Sequence, residues 1–511
     1  MPTAPSSAEL RTAVPDLAVL LRFRSATLSS SGRRRLLAAL AVVGLLTVGL
    51  VAGAAWLPGT GDRPHAGALM ALLPSAMVGF LLLTVVSAVA SGGGREVVPR
   101  DQAVAFPVSA TTEHLGALLM APLNIAWLLQ SWALLGTAAY AVGPHRLWSV
   151  EIPMIVWILV ATTAAQLLGW LIEGLRRGRH GLLAFRLLLA MAGVGAVGLV
   201  VSGQLAPFLD RGPTQRLVFV VTAGPDGQWR LWLSNVAALV AAGVVVLYAG
   251  AAAAGWALGR QEREELRLES GRRRPRPMPR SAFAAMVRVD RASVWRSVPL
   301  RRGIAVLALM PGAVALAGAL PWESLAVLPG LVVSGGALLF GVNAWCLDGR
   351  GALWRDSLPG DPALAYWARA VVLAEVLVAA AGVTALLAIV RAGAPTASEA
   401  ASLGCVVVVV TAQVVATSMR WSVARPFAAD LRSARATPAP PVVMVGYSAR
   451  LACWTTLTGL LFGLLSRQPD WEVPVLVAVA LLARAGHRLI AVARAWREPS
   501  VRAGVIISVL G

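Results

Sequence analysis

Apolar runs of about 20 residues recur along nearly the whole sequence, separated by short segments that hold most of the Arg, Gly and Pro. That length is the thickness of a bilayer's hydrocarbon core divided by the rise of an α-helix. In lipid a backbone must satisfy its own polar groups, so such runs are confined to transmembrane helices. Charge agrees: 14% of the 511 residues are charged and 57% are hydrophobic, against about 25% charged in a soluble domain. The expected fold is an all-α polytopic membrane protein of about 12 spans.

Spans are expected near 36–56, 67–90, 115–139, 152–171, 181–203 and 233–258, then near 304–322, 325–346, 367–390, 400–419, 450–465 and 475–492. The first begins too late and runs too long for a cleavable signal segment. With the N-terminus inside, the inner loops hold a several-fold excess of Arg over the outer ones, which predicts a plasma-membrane protein with both termini cytoplasmic.

The 45 basic residues are all Arg, and the net charge is +20. Without Lys the chain can house neither a phosphate-gripping G-x-x-x-x-G-K-[ST] loop nor a Schiff-base amine. The Arg residues flank apolar spans, where anionic lipid attracts them, so the charge points to a membrane surface and not to nucleic acid. Cys346, Cys405 and Cys453 share no metal-ligand spacing and read as small apolar residues, and the five His are scattered. Neither a metal site nor a bound cofactor is expected.

The stretch from Arg260 to Arg302 is the most basic in the chain and divides it near its middle. The expected organisation is a cytoplasmic N-terminus (1–35), a six-helix half (36–258), a basic linker (259–303), a second six-helix half (304–492) and a cytoplasmic tail (493–511). An even number of spans per half makes the two pseudo-repeats parallel.

Two paired segments support the repeat. LLRFRSATLSSSGRRR (20–35) precedes the first span and MVRVDRASVWRSVPLRRG (286–303) the seventh, each with Arg and apolar residues at near-helical spacing, as in an amphipathic helix at the membrane surface. Between the second and third spans of each half runs a Gly-rich exit, then Arg-Asp (Arg100-Asp101, Arg355-Asp356), then apolar-Pro (Phe106-Pro107, Leu358-Pro359). Ser109 and Asp361 follow as helix N-caps, and a short projecting helix is expected at each. The bland alternative is a tight loop with no partner; duplication favours a docking surface.

An elbow helix before the first span, six spans per unit and an apolar-Pro turn in the first inner loop together resemble the permease subunit of type-2 ABC exporters, in the fused double-length form of high-GC bacteria. The resemblance covers nearly the whole chain. It implies a translocation path here and ATP on separate cytoplasmic ABC ATPase subunits, two copies of them. It also implies that the first inner loops dock those subunits, through Phe106, Pro107, Val108, Ser109 and Glu113 and through Leu358, Pro359, Gly360 and Asp361. The elbow contact falls on Arg22, Arg24, Arg288, Arg291 and Trp295. One departure is that the loop between the last two spans is long in the first half (204–232), with room for a re-entrant element, and very short in the second (466–471).

Charges within spans mark ion pathways or structural pairs. Glu375, Arg484 and His487 are the candidate path-lining residues, with Arg186 beside them and Glu173 and Arg369 near span ends. For Glu375 a buried hydrogen bond weighs equally; Arg484 and His487 share a helix face. Gln130, Asn124, Gln166 and Asn343 read more readily as interhelical hydrogen bonds. The rival reading is a twelve-helix ion-coupled carrier of the major-facilitator kind, against which the scarcity of intramembrane carboxylates weighs. A membrane enzyme would need carboxylates, His or a nucleophile and base gathered at one depth, and the sequence gathers none.

Overall fold

A computed structural model describes residues 7–26, 30–60, 64–90, 108–123, 125–178, 180–210, 212–223, 227–260, 277, 279–349, 351–429, 439 and 441–510. Its regular elements are all helical. Among the described residues nine helices are long and apolar enough to cross a bilayer, which makes the chain a multi-pass membrane protein. They fall on nine of the expected spans. The first, third and fifth expected spans form helices too, but their described apolar stretches are shorter or broken.

The chain divides into two compact units, Met1–Glu269 and Ser270–Gly511. The first holds α1 (Ser7–Ala26), α2 (Ser30–Ala55), α3 (Pro64–Ala90), α4 (Ala110–Met120), α5 (Ile125–Val142), α6 (Leu147–Arg176), α7 (Gly181–Val201), α8 (Leu205–Asp210), α9 (Pro213–Ala223) and α10 (Trp229–Leu258). Its spine is α6, which packs on α3, α5 and α10 through Met154, Trp157, Ile158, Ala161 and Trp170. Indole donors tie it to its neighbours, Trp127 Nε1 to Thr162 Oγ1 at 2.9 Å and Trp157 Nε1 to the Met77 carbonyl at 3.2 Å. The long 204–232 loop folds back as α8 and α9. Both pack on α3, and α9 also reaches α6 and α10, burying Thr214 and Val218.

The second unit holds α11 (Ala282–Arg296), α12 (Val298–Gly318), α13 (Trp322–Leu325), α14 (Leu328–Phe340) with a 3-10 continuation (Gly341–Leu347), α15 (Gly351–Asp356), α16 (Pro362–Ile389), α17 (Ala397–Ala424), α18 (Pro441–Leu465), α19 (Glu472–Arg497) and α20 (Pro499–Leu510). Here α16 is central, packed against α11, α12, α14, α17 and α19. The same helix pairs meet in each unit: first with third (α2–α5, α12–α16), second with third and fourth (α3 with α5 and α6, α14 with α16 and α17), fourth with sixth (α6–α10, α17–α19). The expected tail at 493–511 holds the last turn of α19 followed by α20, which packs on α15.

On α18, Gly459 and Gly463 let that helix touch backbone. A Cβ at Gly459 would stand 2.9 Å from Val327 Cα, and one at Gly463 would stand 2.7 Å from the Glu323 carbonyl oxygen. Backbone cannot yield as a side chain can, so Gly459→Ala with Gly463→Ala should cost about 1–3 kcal/mol of stability. Gly446→Ala, on the same helix with nothing within 4 Å, should be neutral or slightly stabilising. Thermal unfolding of the detergent-solubilised protein distinguishes the two.

Candidate functional site

In the second unit the amphipathic helix, the inter-span loop and the third span converge. Ser281 caps α11, its Oγ accepting from the Ala284 N–H at 3.0 Å, and the helix turns Val287, Asp290 and Val294 inward at helical spacing. The α14 helix loses its regular form at Asn343 (φ −148°, ψ 69°). The freed Ala344 N–H donates to Ser422 Oγ of α17 at 2.8 Å, and the Asn343 side chain donates through Nδ2 to the Phe427 carbonyl, just past α17, at 2.7 Å. This break sends the chain through Asp348 and a left-handed Gly349 (φ 49°) into α15. After Gly360 (φ 153°), Asp361 starts α16, its Oδ1 accepting from the Ala363 N–H at 2.9 Å, with Pro362 as first helical residue.

Four charges from these elements form a closed cluster. Arg369, on α16 and fully buried, donates to both oxygens of the equally buried Asp290 on α11, at 3.1 and 3.0 Å, and to Asp348 at 2.7 Å. Arg355, on α15, reaches Asp290 at 2.9 and 3.3 Å and Asp348 at 2.9 Å. The remaining Arg369 amine donates to the Ala344 carbonyl. Burial pushes the Asp290 carboxyl up, but the two guanidiniums overcome it and hold the group below the usual aspartate range. Two positive and two negative charges cancel, so the cluster is a mechanical tie between α11, α15 and α16.

An outer layer backs this tie. Trp345 stacks on Trp496 of α19 with centroids 3.9 Å apart and planes 1° from parallel, and Trp496 Nε1 donates to the Pro362 carbonyl at 3.2 Å. Arg502 of α20 bonds Asp356 at 2.8 Å, and Arg497 bonds Asp361 at 3.0 Å. The backbone N–H of Ala363 and then Arg497 hold the exposed Asp361 carboxyl below its ordinary range. A cavity of about 80 Å³ lies between the loop, α19 and α20.

The first unit builds the matching place differently. Phe106 and Pro107 lie outside the described residues. Ser109 caps α4, its Oγ accepting from the Thr112 N–H at 3.0 Å, and Glu113, half-buried, sits in the first turn. Val108 is half-buried and precedes the cap. As α11 lies on α16, so α1 lies on α4. Where the second unit uses ions, here a buried His114 accepts from Trp170 Nε1 at 3.2 Å, against Gly250, where a Cβ would stand 2.5 Å from His114 Cε1.

A short helix is expected after each Pro turn. In the first unit α4 fits, ended by the 3-10 turn at Ala121–Leu123. In the second the short helix is α15, ahead of Pro359, and the Asp361-capped helix is the third span itself. Nothing in the 28 apolar-rich residues of α16 stops it.

Leu358, Pro359, Gly360 and Asp361 are exposed on the loop. Of the elbow residues, Arg22 is exposed, the side chain of Arg24 is outside the described residues, Arg288 donates to the Pro277 carbonyl at 2.6 Å, and Trp295 is exposed. Arg291 and Glu375, expected in different roles, form one bidentate pair at 2.7 and 2.5 Å. Glu173 pairs with Arg176 and Arg177 at 2.8 and 3.1 Å. Arg484 lies over the Trp454 ring at 5.9 Å, and His487 is exposed one turn away. Sequence reasoning missed Asp290 and Asp348. An acid between two valines on the apolar face of an amphipathic helix was the readable signal for Asp290.

Comparison of the chain with protein-family models, with curated proteins and with solved structures returns no match.

Proposed function

We propose that this chain is the membrane-spanning permease of an ABC-type exporter in the plasma membrane. Its twelve spans, in two parallel halves with both termini cytoplasmic, form the path; ATP is bound and hydrolysed by two separate cytoplasmic ABC ATPase subunits. The observation that carries this reading is the buried Asp290–Arg369–Asp348–Arg355 cluster, which makes the elbow helix, the loop and the third span move as one body. A force on the loop would reach a transmembrane helix without slack, as a permease driven from outside the bilayer needs. Leu353 and Trp354, 58% and 69% exposed on α15, add an apolar knob to the docking residues already named. The carrier reading is weaker, because Glu375 is engaged by Arg291.

The test is capture of the tagged chain, solubilised from its native membrane, with mass spectrometry of what accompanies it. A stoichiometric ATPase is expected, lost when Pro359 is replaced together with Trp354→Ala. A clean preparation without any ATPase would overturn the assignment.

A further inference from the structure

Four arginines of the second unit lie close together with no counter-charge among the described residues. Arg420 stands four residues before the end of α17, Arg450 nine residues into α18, and Arg484 and Arg488 one turn apart on α19. At 1.5 Å per residue, Arg450 and Arg488 are each about 14 Å from the same end of this up-and-down trio. The 25- and 26-residue helices exceed the hydrocarbon core by only about 4 Å at each end, so Arg450, Arg484 and Arg488 stand at hydrocarbon depth, while Arg420, about 6 Å from the end of the 28-residue α17, stands at its edge. Helix α17 packs on both α18 and α19, the Arg484 guanidinium bridges to Trp454 of α18, and the charges of Arg484, Arg420 and Arg450 all act on Arg488.

Arg420, Arg450 and Arg484 are exposed and Arg488 is partly so. Among the described residues no carboxylate reaches any of the four. Elsewhere in the unit Glu375 is paired with Arg291, Asp361 with Arg497 and Asp356 with Arg502. Like charges at this depth repel and are poorly solvated, so an anion on this face would be strongly favoured. Leading away from Arg450 along α18, Trp454, Leu457, Leu461 and Leu464 follow at steps of four, three, four and three, all exposed. They form a continuous apolar stripe in line with the charges.

We propose that this face binds an anionic phospholipid, its phosphate held by the forked guanidiniums of Arg420, Arg450, Arg484 and Arg488 and its acyl chain laid along the Trp454–Leu464 stripe. Planar guanidiniums match phosphate oxygens two at a time, and a headgroup followed by a chain matches an Arg cluster followed by an apolar stripe. The site does not depend on the exporter reading.

The test is native mass spectrometry of the full chain taken from nanodiscs of phosphatidylcholine with a minor share of phosphatidylglycerol. Wild type should retain one phosphatidylglycerol per chain, and R484Q/R488Q should retain at least about tenfold less, which corresponds to about 1.4 kcal/mol. R230Q/R391Q, which removes the same charge elsewhere, should match wild type. Equal retention by wild type and R484Q/R488Q overturns the site. If that double variant does not purify as a single species, R450Q alone decides by the same criterion. Thermal stabilisation by inorganic phosphate in detergent, with no preference for the anionic lipid, overturns the lipid as ligand.

Discussion

Asp290→Leu is expected to destabilise the protein by about 3–5 kcal/mol, the usual result of stranding a buried charge. Arg369 is fully buried and donates three of its hydrogen bonds to Asp290 and Asp348. Without Asp290 it must keep an uncompensated guanidinium in the core or pull α16 away from α11. Arg369→Met alone should cost a similar amount, for the mirror reason. The two together should cost far less than their sum, because Asp348 and Arg355 remain as a neutral pair at 2.9 Å. Thermal unfolding of wild type, both single variants and the double variant in one detergent measures the coupling; additive losses would show that the cluster is not a unit. The deficit also depends on pH. The Asp290 carboxyl titrates below its unfolded value, so its stabilising effect is complete above about pH 4 and is lost as pH falls through the depressed folded value. The gap between wild type and Asp290→Leu should therefore narrow on strong acidification.

Features with a local physical cause were legible in the sequence. Apolar runs of bilayer length gave the helices, and Ser109 and Asp361 could be recognised as caps from residue type and position alone. The amphipathic α11 was legible in the spacing of its Arg and apolar residues, and the 204–232 loop was long enough to hold the folded-back α8 and α9. The charge cluster as a whole was not legible, because Asp290, Asp348, Arg355 and Arg369 come from an amphipathic helix, a loop, a short helix and a span. The face of α11 hints at a buried Asp290, but nothing local says which charges meet it, and only tertiary packing joins the four. Glu375 was open for the same reason: within α16 it is a lone carboxylate among apolar residues, for which a structural bond and a path-lining place weigh equally, and its partner Arg291 lies 84 positions upstream. The C-terminal segment VRAGVIISVL falls in the expected tail. The apolar surface that it covers, with Trp496 and the loop, exists only once α15 and α19 have folded.

Asp361→Arg is expected to leave the helices inserted and ATP hydrolysis running while transport falls by about tenfold or more, within the usual range for coupling between distant sites. Asp361 joins three elements: it caps α16 through Ala363, it pairs with Arg497 at the end of α19, and it follows directly on the exposed Leu358-Pro359-Gly360 turn. An arginine there cannot accept from the freed N–H groups and repels Arg497, so the loop loses its grip on both spans at once. The Asp290 cluster, deeper and untouched, still holds α11, α15 and α16 together, which is why folding survives. Arg497→Ala breaks only the ion pair and keeps the cap, so it should show a smaller loss of transport in the same direction. Both quantities are read in proteoliposomes with the captured ATPase, as substrate moved per ATP hydrolysed. Normal transport by Asp361→Arg would mean that force does not enter through this loop, and the docking assignment would fail even if an ATPase copurifies.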